Sequence, residues 1–140
     1  MIALDTNVIS EMMQPAPDPS VMDWLRGQPS HTLAITTISL AEIRYGISRL
    51  PEGQKRRSLE MRFQSFITMG FGDRIMAFDT AAANAYGDIV AAREKTGKPI
   101  ETFDAMIASI ARCRGARIAT RDTNGFADCG VDLINPWEHE

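Results

Sequence analysis

Two kinds of stretch alternate along the chain. Short β-like apolar runs fall at residues 2–4, 32–35, 75–78, 117–119 and 132–134, and most are separated by longer segments of helical pattern at 6–13, 18–26, 39–50, 80–96 and 102–114. A further amphipathic segment is marked by Leu59, Phe63, Phe66, Ile67 and Gly70 at helical spacing, while Lys55, Arg56, Arg57 and Arg62 take other faces. Alternation of this kind predicts an α/β fold with a central, mainly parallel sheet of about four or five strands flanked by helices. Pro19 suits a first helical position, and Gly97 and Gly115 suit the positions just past helix ends. The proline-rich stretch from Gln14 to Pro19 reads as a stiff turn between two helices. With no internal repeat and no long linker, residues 1–140 are expected to form one domain.

The pattern also fixes where the acids fall. In a parallel α/β sheet each strand's C-terminal end leads towards a helix N-terminus, and ligands bind along that edge. Asp5 follows the first run directly, Glu42 lies one turn into the helix after the second, and Asp122 follows the run at 117–119. Asp104 starts the helix that leads into that run. It heads a stripe completed by Ile107, Ala108 and Ala111, so its carboxylate should face inward.

Each acid has a structural explanation of its own. Asp5 and Asp79 suit helix N-caps, Ser39 to Glu42 has the form of a capping box, Asp104 complements a helix dipole, and Asp122-Thr123-Asn124-Gly125 reads as a turn. Separate caps, however, have no reason to converge. Two carboxylates about 4 Å apart repel by about 4 kcal/mol at an effective dielectric near 20, so four at one edge call for a cation. Oxygen donors without His or Cys favour Mg²⁺ or Mn²⁺. His31 and His139 fall away from this edge and are expected at the surface.

Composition narrows the class further. The net charge of −3 argues against a passive polyanion-binding module, but setting the four acids aside moves the balance to +1 and leaves a nucleic-acid enzyme open. Cys113 and Cys129 lack the spacing of a zinc or redox motif and are expected to be reduced thiols. Without an apolar run of membrane-spanning length or a signal-peptide pattern, the expected compartment is the cytoplasm.

Four blocks in order, LDTNVISE, SLAEIRYG, FDAMIASIA and ATRDTNGF followed by INPW, make the chain resemble PIN-domain ribonucleases, in particular VapC-type toxins of toxin-antitoxin pairs and their FitB-like branch. The resemblance covers nearly the whole chain. It implies a PIN-like three-layer sandwich and a metal-dependent endoribonuclease using Mg²⁺ or Mn²⁺. The family's acids land on Asp5, Glu42, Asp104 and Asp122, with Asn7, Thr120 and Asn124 as possible supporting residues. It also implies an RNA substrate, a cognate antitoxin seated in a groove of helices, DNA contacted only through that antitoxin, and a homodimer. Arg112, Arg114 and Arg121 are open to RNA contact or to a solvated role. Competing readings are a haloacid-dehalogenase-like phosphohydrolase with Asp5 as nucleophile and a non-catalytic RNA- or partner-binding domain. Asn7 stands where the former usually has a second Asp.

Overall fold

In a computed structural model, whose described residues are 1–138, β1 (Ile2–Leu4) sits at the centre of a five-stranded sheet. The other strands are β2 (Leu33–Thr36), β3 (Ile75–Met76), β4 (Arg117–Ala119) and β5 (Leu133–Ile134), in the order β3-β2-β1-β4-β5. All four pairings are parallel, with Ala3 opposite Ala34 on one side and Ile118 on the other. Helices intervene as α1 (Thr6–Met12), α2 (Pro19–Arg26), α3 (Thr37–Ser48), α4 (Gln54–Ser65), α5 (Thr80–Lys95) and α6 (Thr102–Cys113).

The period-two alternation of the strands builds a core on each face of the sheet. Ile2 and Leu4 of β1 and Leu33 and Ile35 of β2 join Val8, Ile9, Val21, Trp24, Ile43, Ile47 and Phe63 beneath α1 to α4. Ala3, Ala34 and Ile118 turn the other way, towards Ala82 and Ile89 of α5 and Ile107, Ala108 and Ala111 of α6. The strands read as continuous apolar runs because both faces are covered.

Several boundaries differ from the sequence reading. The helix expected at 39–50 begins at Thr37, because Thr36 ends its strand and accepts from the Ser39 amide at 3.1 Å as the N-cap. Ser39 is therefore no cap, and Glu42 is freed from the proposed capping box. Strand β3 covers only two residues of the run at 75–78. The amphipathic segment divides into α4 and a π-helical stretch, Phe66–Phe71, where Ile67 and Phe71 are buried while Gly70 is exposed. Pro19 does open α2, and Gly97 and Gly115 follow the caps of α5 and α6 with φ of 73° and 65°.

Strand order sets the position of the site. Chain connections leave β1 towards β2 on one side, while β4 returns on its other side. The crevice beyond the C-terminal ends of β1 and β4 is such a switch point, where open α/β sheets receive ligands.

Candidate active site

Asp5 leaves β1 at this crevice and caps α1, its Oδ1 accepting from the Thr6 amide at 2.8 Å. Its own amide donates to the Ala119 carbonyl at 2.9 Å, so the end of β4 fixes its backbone. Its Oδ2 accepts from the buried Thr120 hydroxyl, also at 2.8 Å. Asp5 is only 5% exposed. Burial pushes its carboxyl above the ordinary value; the Thr120 and Thr6 hydrogen bonds pull it back, and the Asp122 charge adds to the rise.

Thr120 is a junction. Besides donating to Asp5, its Oγ1 accepts from Asn7 Nδ2 at 3.3 Å and from the Asp122 amide at 3.0 Å. Asn7 in turn accepts from the Arg121 amide at 3.3 Å. Asp122 closes the expected turn, its Oδ1 accepting from the Gly125 amide at 3.0 Å. A Cβ on Gly125 would come within 2.3 Å of Asp122 Oδ2, so a side chain there would have to displace the Asp122 carboxylate.

Glu42 projects from the second turn of α3, and its Oε1 accepts from Thr6 Oγ1 at 2.9 Å. The same hydroxyl lies 3.0 Å from the buried Ser39 Oγ. Burial raises the Glu42 carboxyl, the Thr6 hydrogen bond opposes it, and Asp5 and Glu101 raise it further.

Asp104 occupies the first turn of α6, half-buried above the Ile107, Ala108 and Ala111 stripe. Its amide donates to Glu101 Oε2 at 3.2 Å. Its carboxyl is pushed up to about 7, first by burial and then by Asp5, Glu101, Asp122 and Glu42. The neighbouring acids make the proton at Asp104 a response to all of them.

The four acids line one open cleft of about 500 Å³, together with Thr6, Asn7, Ser10, Glu11, Gln14, Arg121 and Trp137. Among the described residues none of the four acids is in an ion pair. No three His, Cys, Asp or Glu side chains among the described residues stand close enough together to hold a metal ion as they are. The donors of the four acids are oxygen throughout, which is the chemistry that suits a hard divalent cation.

Asn124 is exposed and outside the cleft lining. Asp79 caps α5 by accepting from the Ala82 amide at 3.0 Å, and pairs with Arg114 at 3.1 Å. It does not line the cleft, although it follows a strand. Its partner explains why: α6 begins at the acidic edge, and Arg114 lies at its other end. His31 is exposed, and His139 lies outside the described residues. Cys113 and Cys129 are free thiols.

Thr6 and Glu101 are functional neighbours that the sequence pattern does not single out. Thr6 sits next to Asp5 and gave no signal beyond helix start. Glu101 precedes the predicted helix by one residue, and its exposed carboxylate caps the helix that carries Asp104.

A PIN-domain family model matches residues 2–131. The chain belongs to the PIN-domain family. It is 41% identical to the plasmid stability protein StbB of Pseudomonas syringae pv. tomato and 39% identical to VapC ribonuclease Y4jK of Sinorhizobium fredii, each over 99% of both chains. The solved structure of FitAcB from Neisseria gonorrhoeae matches with a TM-score of 0.93 and 37% identity, covering 99% of this chain and 100% of that one. This PIN domain thus has the expected three-layer architecture, and the haloacid-dehalogenase alternative is disfavoured. No helix among the described residues is long and apolar enough to cross a membrane.

Proposed function

We propose that this chain is a metal-dependent endoribonuclease of the VapC type, acting in the cytoplasm as a single-domain toxin of a toxin-antitoxin pair. Asp5, Glu42, Asp104 and Asp122 converge on one cleft, and among the described residues none of them is in an ion pair; this convergence carries the reading. The 39% identity to a protein named VapC ribonuclease gives the cleft its substrate class, RNA.

Asp5 and Asp104 would ligate the metal directly, and Glu42 and Asp122 would complete the site. Mg²⁺ or Mn²⁺ bound there supplies Lewis acidity, orienting the scissile phosphate, acidifying a water and offsetting charge on the leaving 3′ oxygen. The residues do the rest. Thr120 and the Thr6 amide hold both oxygens of Asp5, which fixes the carboxylate's plane. Thr6 Oγ1 holds one oxygen of Glu42, leaving the other free to ligate. The Gly125 amide holds Asp122 Oδ1 in the same way. Burial and the neighbouring acids favour the protonated form of Asp104, and a bound cation would favour its ionised form instead. The products expected carry 5′-phosphate and 3′-hydroxyl ends.

Beside the cleft, α1, α3 and α4 enclose an apolar groove of about 480 Å³ lined by Met13, Ile43, Ile47, Leu50 and Leu59 among others. It shares Thr6, Ser10, Gln14 and Glu42 with the acidic cleft. The antitoxin lies in this groove and blocks the site from the side. A homodimer of the chain contacts DNA only through that antitoxin; solved relatives include FitAB bound to a DNA fragment.

The test is cleavage of RNA by the purified chain in Mn²⁺, alongside Asp5→Asn and Asp104→Asn. The wild type cleaves, and each variant loses activity while keeping its circular-dichroism spectrum. Undiminished cleavage by both variants contradicts the assignment.

A further inference from the structure

Arg121 occupies an unusual place. Five carboxylates line the cleft, on Asp5, Glu11, Glu42, Asp104 and Asp122, and among the described lining residues Arg121 alone is basic. An arginine beside so many acids would ordinarily pair with one of them. This one does not: among the described residues its guanidinium makes no ion pair. It lies instead over the Trp137 ring, 5.1 Å from the centroid.

Both members of that contact are anchored. The Arg121 amide donates to Asn7 Oδ1 at 3.3 Å, which ties its backbone to the start of α1. The Trp137 amide donates to Asn135 Oδ1 at 3.0 Å, and its side chain packs against the core beneath α1 to α4. Stacking on an indole uses the face of a guanidinium and leaves its N–H edges free. The result is a cation held at the cleft, kept off the carboxylates, with donors available for a planar or tetrahedral oxyanion.

A polyanionic strand entering this cleft meets five carboxyl side chains and a single basic one among the described lining residues. A divalent cation among the acids offsets them locally, but only at the scissile position. The adjoining phosphates need their own positive partner, and the lining offers one. Arg112 and Arg114, the other arginines open to such a role, lie elsewhere: Arg114 pairs with Asp79, and Arg112 lies against Gly130.

We propose that Arg121, steadied by Trp137, binds a phosphate flanking the scissile one in a single-stranded RNA substrate. The role rests on the ribonuclease reading above. Arg121 is a substrate-binding residue, and it leaves the chemistry to the acids.

The experiment measures hydrolysis of a labelled single-stranded oligoribonucleotide by the full chain in saturating Mn²⁺, across a series of KCl concentrations. Arg121→Gln raises KM about tenfold, with most of the loss in KM rather than kcat, as removal of one charged hydrogen-bonding partner predicts. It also shallows the slope of log(kcat/KM) against log[KCl] by about 0.7, the value for one phosphate contact on a single strand. Arg121→Lys keeps the charge and so keeps the wild-type slope. An Arg121→Gln enzyme with wild-type KM and slope, or one that loses kcat alone, overturns the role while the nuclease stands. Absence of cleavage by the wild type overturns the nuclease reading itself, and this role with it.

Discussion

Thr120 Oγ1 donates to Asp5 Oδ2 at 2.8 Å, joining residues 115 positions apart. The bond ties the end of β4 to the end of β1 at the point where the sheet's order reverses. Because the same oxygen accepts from Asn7 and from the Asp122 amide, two of the four acids share one neutral support.

Thr120→Val retains the shape and removes that support. Asp5 then loses its strongest pull towards the ionised form, so its pKa rises further. The expected cost is about 1–3 kcal/mol of stability, read by urea denaturation, together with a fall in RNA cleavage on the order of tenfold. Thr120→Ser, which keeps the hydroxyl, restores most of both.

The acids also predict a pH dependence of unusual sign. Asp104 moves from an ordinary 3.8 to about 7 on folding, and Asp5 and Glu42 shift upward too. An acid that binds its proton more tightly when folded weakens folding as pH rises between the two values. In EDTA the contribution of this cluster therefore declines from about pH 4 to pH 7, and is fully adverse above that. Melting temperatures measured between pH 5 and 8 fall with pH in the wild type, and fall less steeply in Asp104→Asn.

Gly125 offers a test of geometry apart from charge. Its backbone does not need a positive φ, yet a methyl group there would overlap the Asp122 carboxylate at 2.3 Å. Gly125→Ala must therefore push that carboxylate aside. Cleavage falls on the order of tenfold, while the melting temperature changes by only about 4 °C. Wild-type activity in this variant would separate Asp122 from the site.

Much of the cleft could be read in the sequence, and the misses have physical causes. Asp104 was legible because Ile107, Ala108 and Ala111 mark its face, and all three are buried. Asp5 and Asp122 were legible from strand ends. The start of α3 was not, since Thr36 and Thr37 suit a strand as well as a helix start, and only the Ser39 amide bond to Thr36 decides between them. Asp79 read correctly as a cap, but its distance from the cleft depends on how α5 and α6 lie together, with Arg114 bringing the end of α6 to the start of α5. Thr6 acts through Glu42, 36 positions along the chain, and local pattern carries no trace of such pairing; Glu101 acts locally, accepting from the Phe103 and Asp104 amides as the cap of α6, a position where Glu is not among the favoured cap residues. The π-helical turn at Phe66–Phe71 shares its apolar spacing with an ordinary helix and so was invisible.

Asp5, Glu42, Asp104 and Asp122, none of them ion-paired among the described residues, make up the proposed divalent-cation site. Its most direct test is the melting temperature of the wild type in EDTA and in saturating Mn²⁺ at pH 7.5. Metal at about 100 times its Kd adds about 2.7 kcal/mol, or roughly 5–10 °C for a chain of this size. Saturating Mn²⁺ is expected to give that rise in the wild type and not in Asp5→Asn or Asp104→Asn. A wild-type melting temperature unmoved by saturating Mn²⁺ would contradict it.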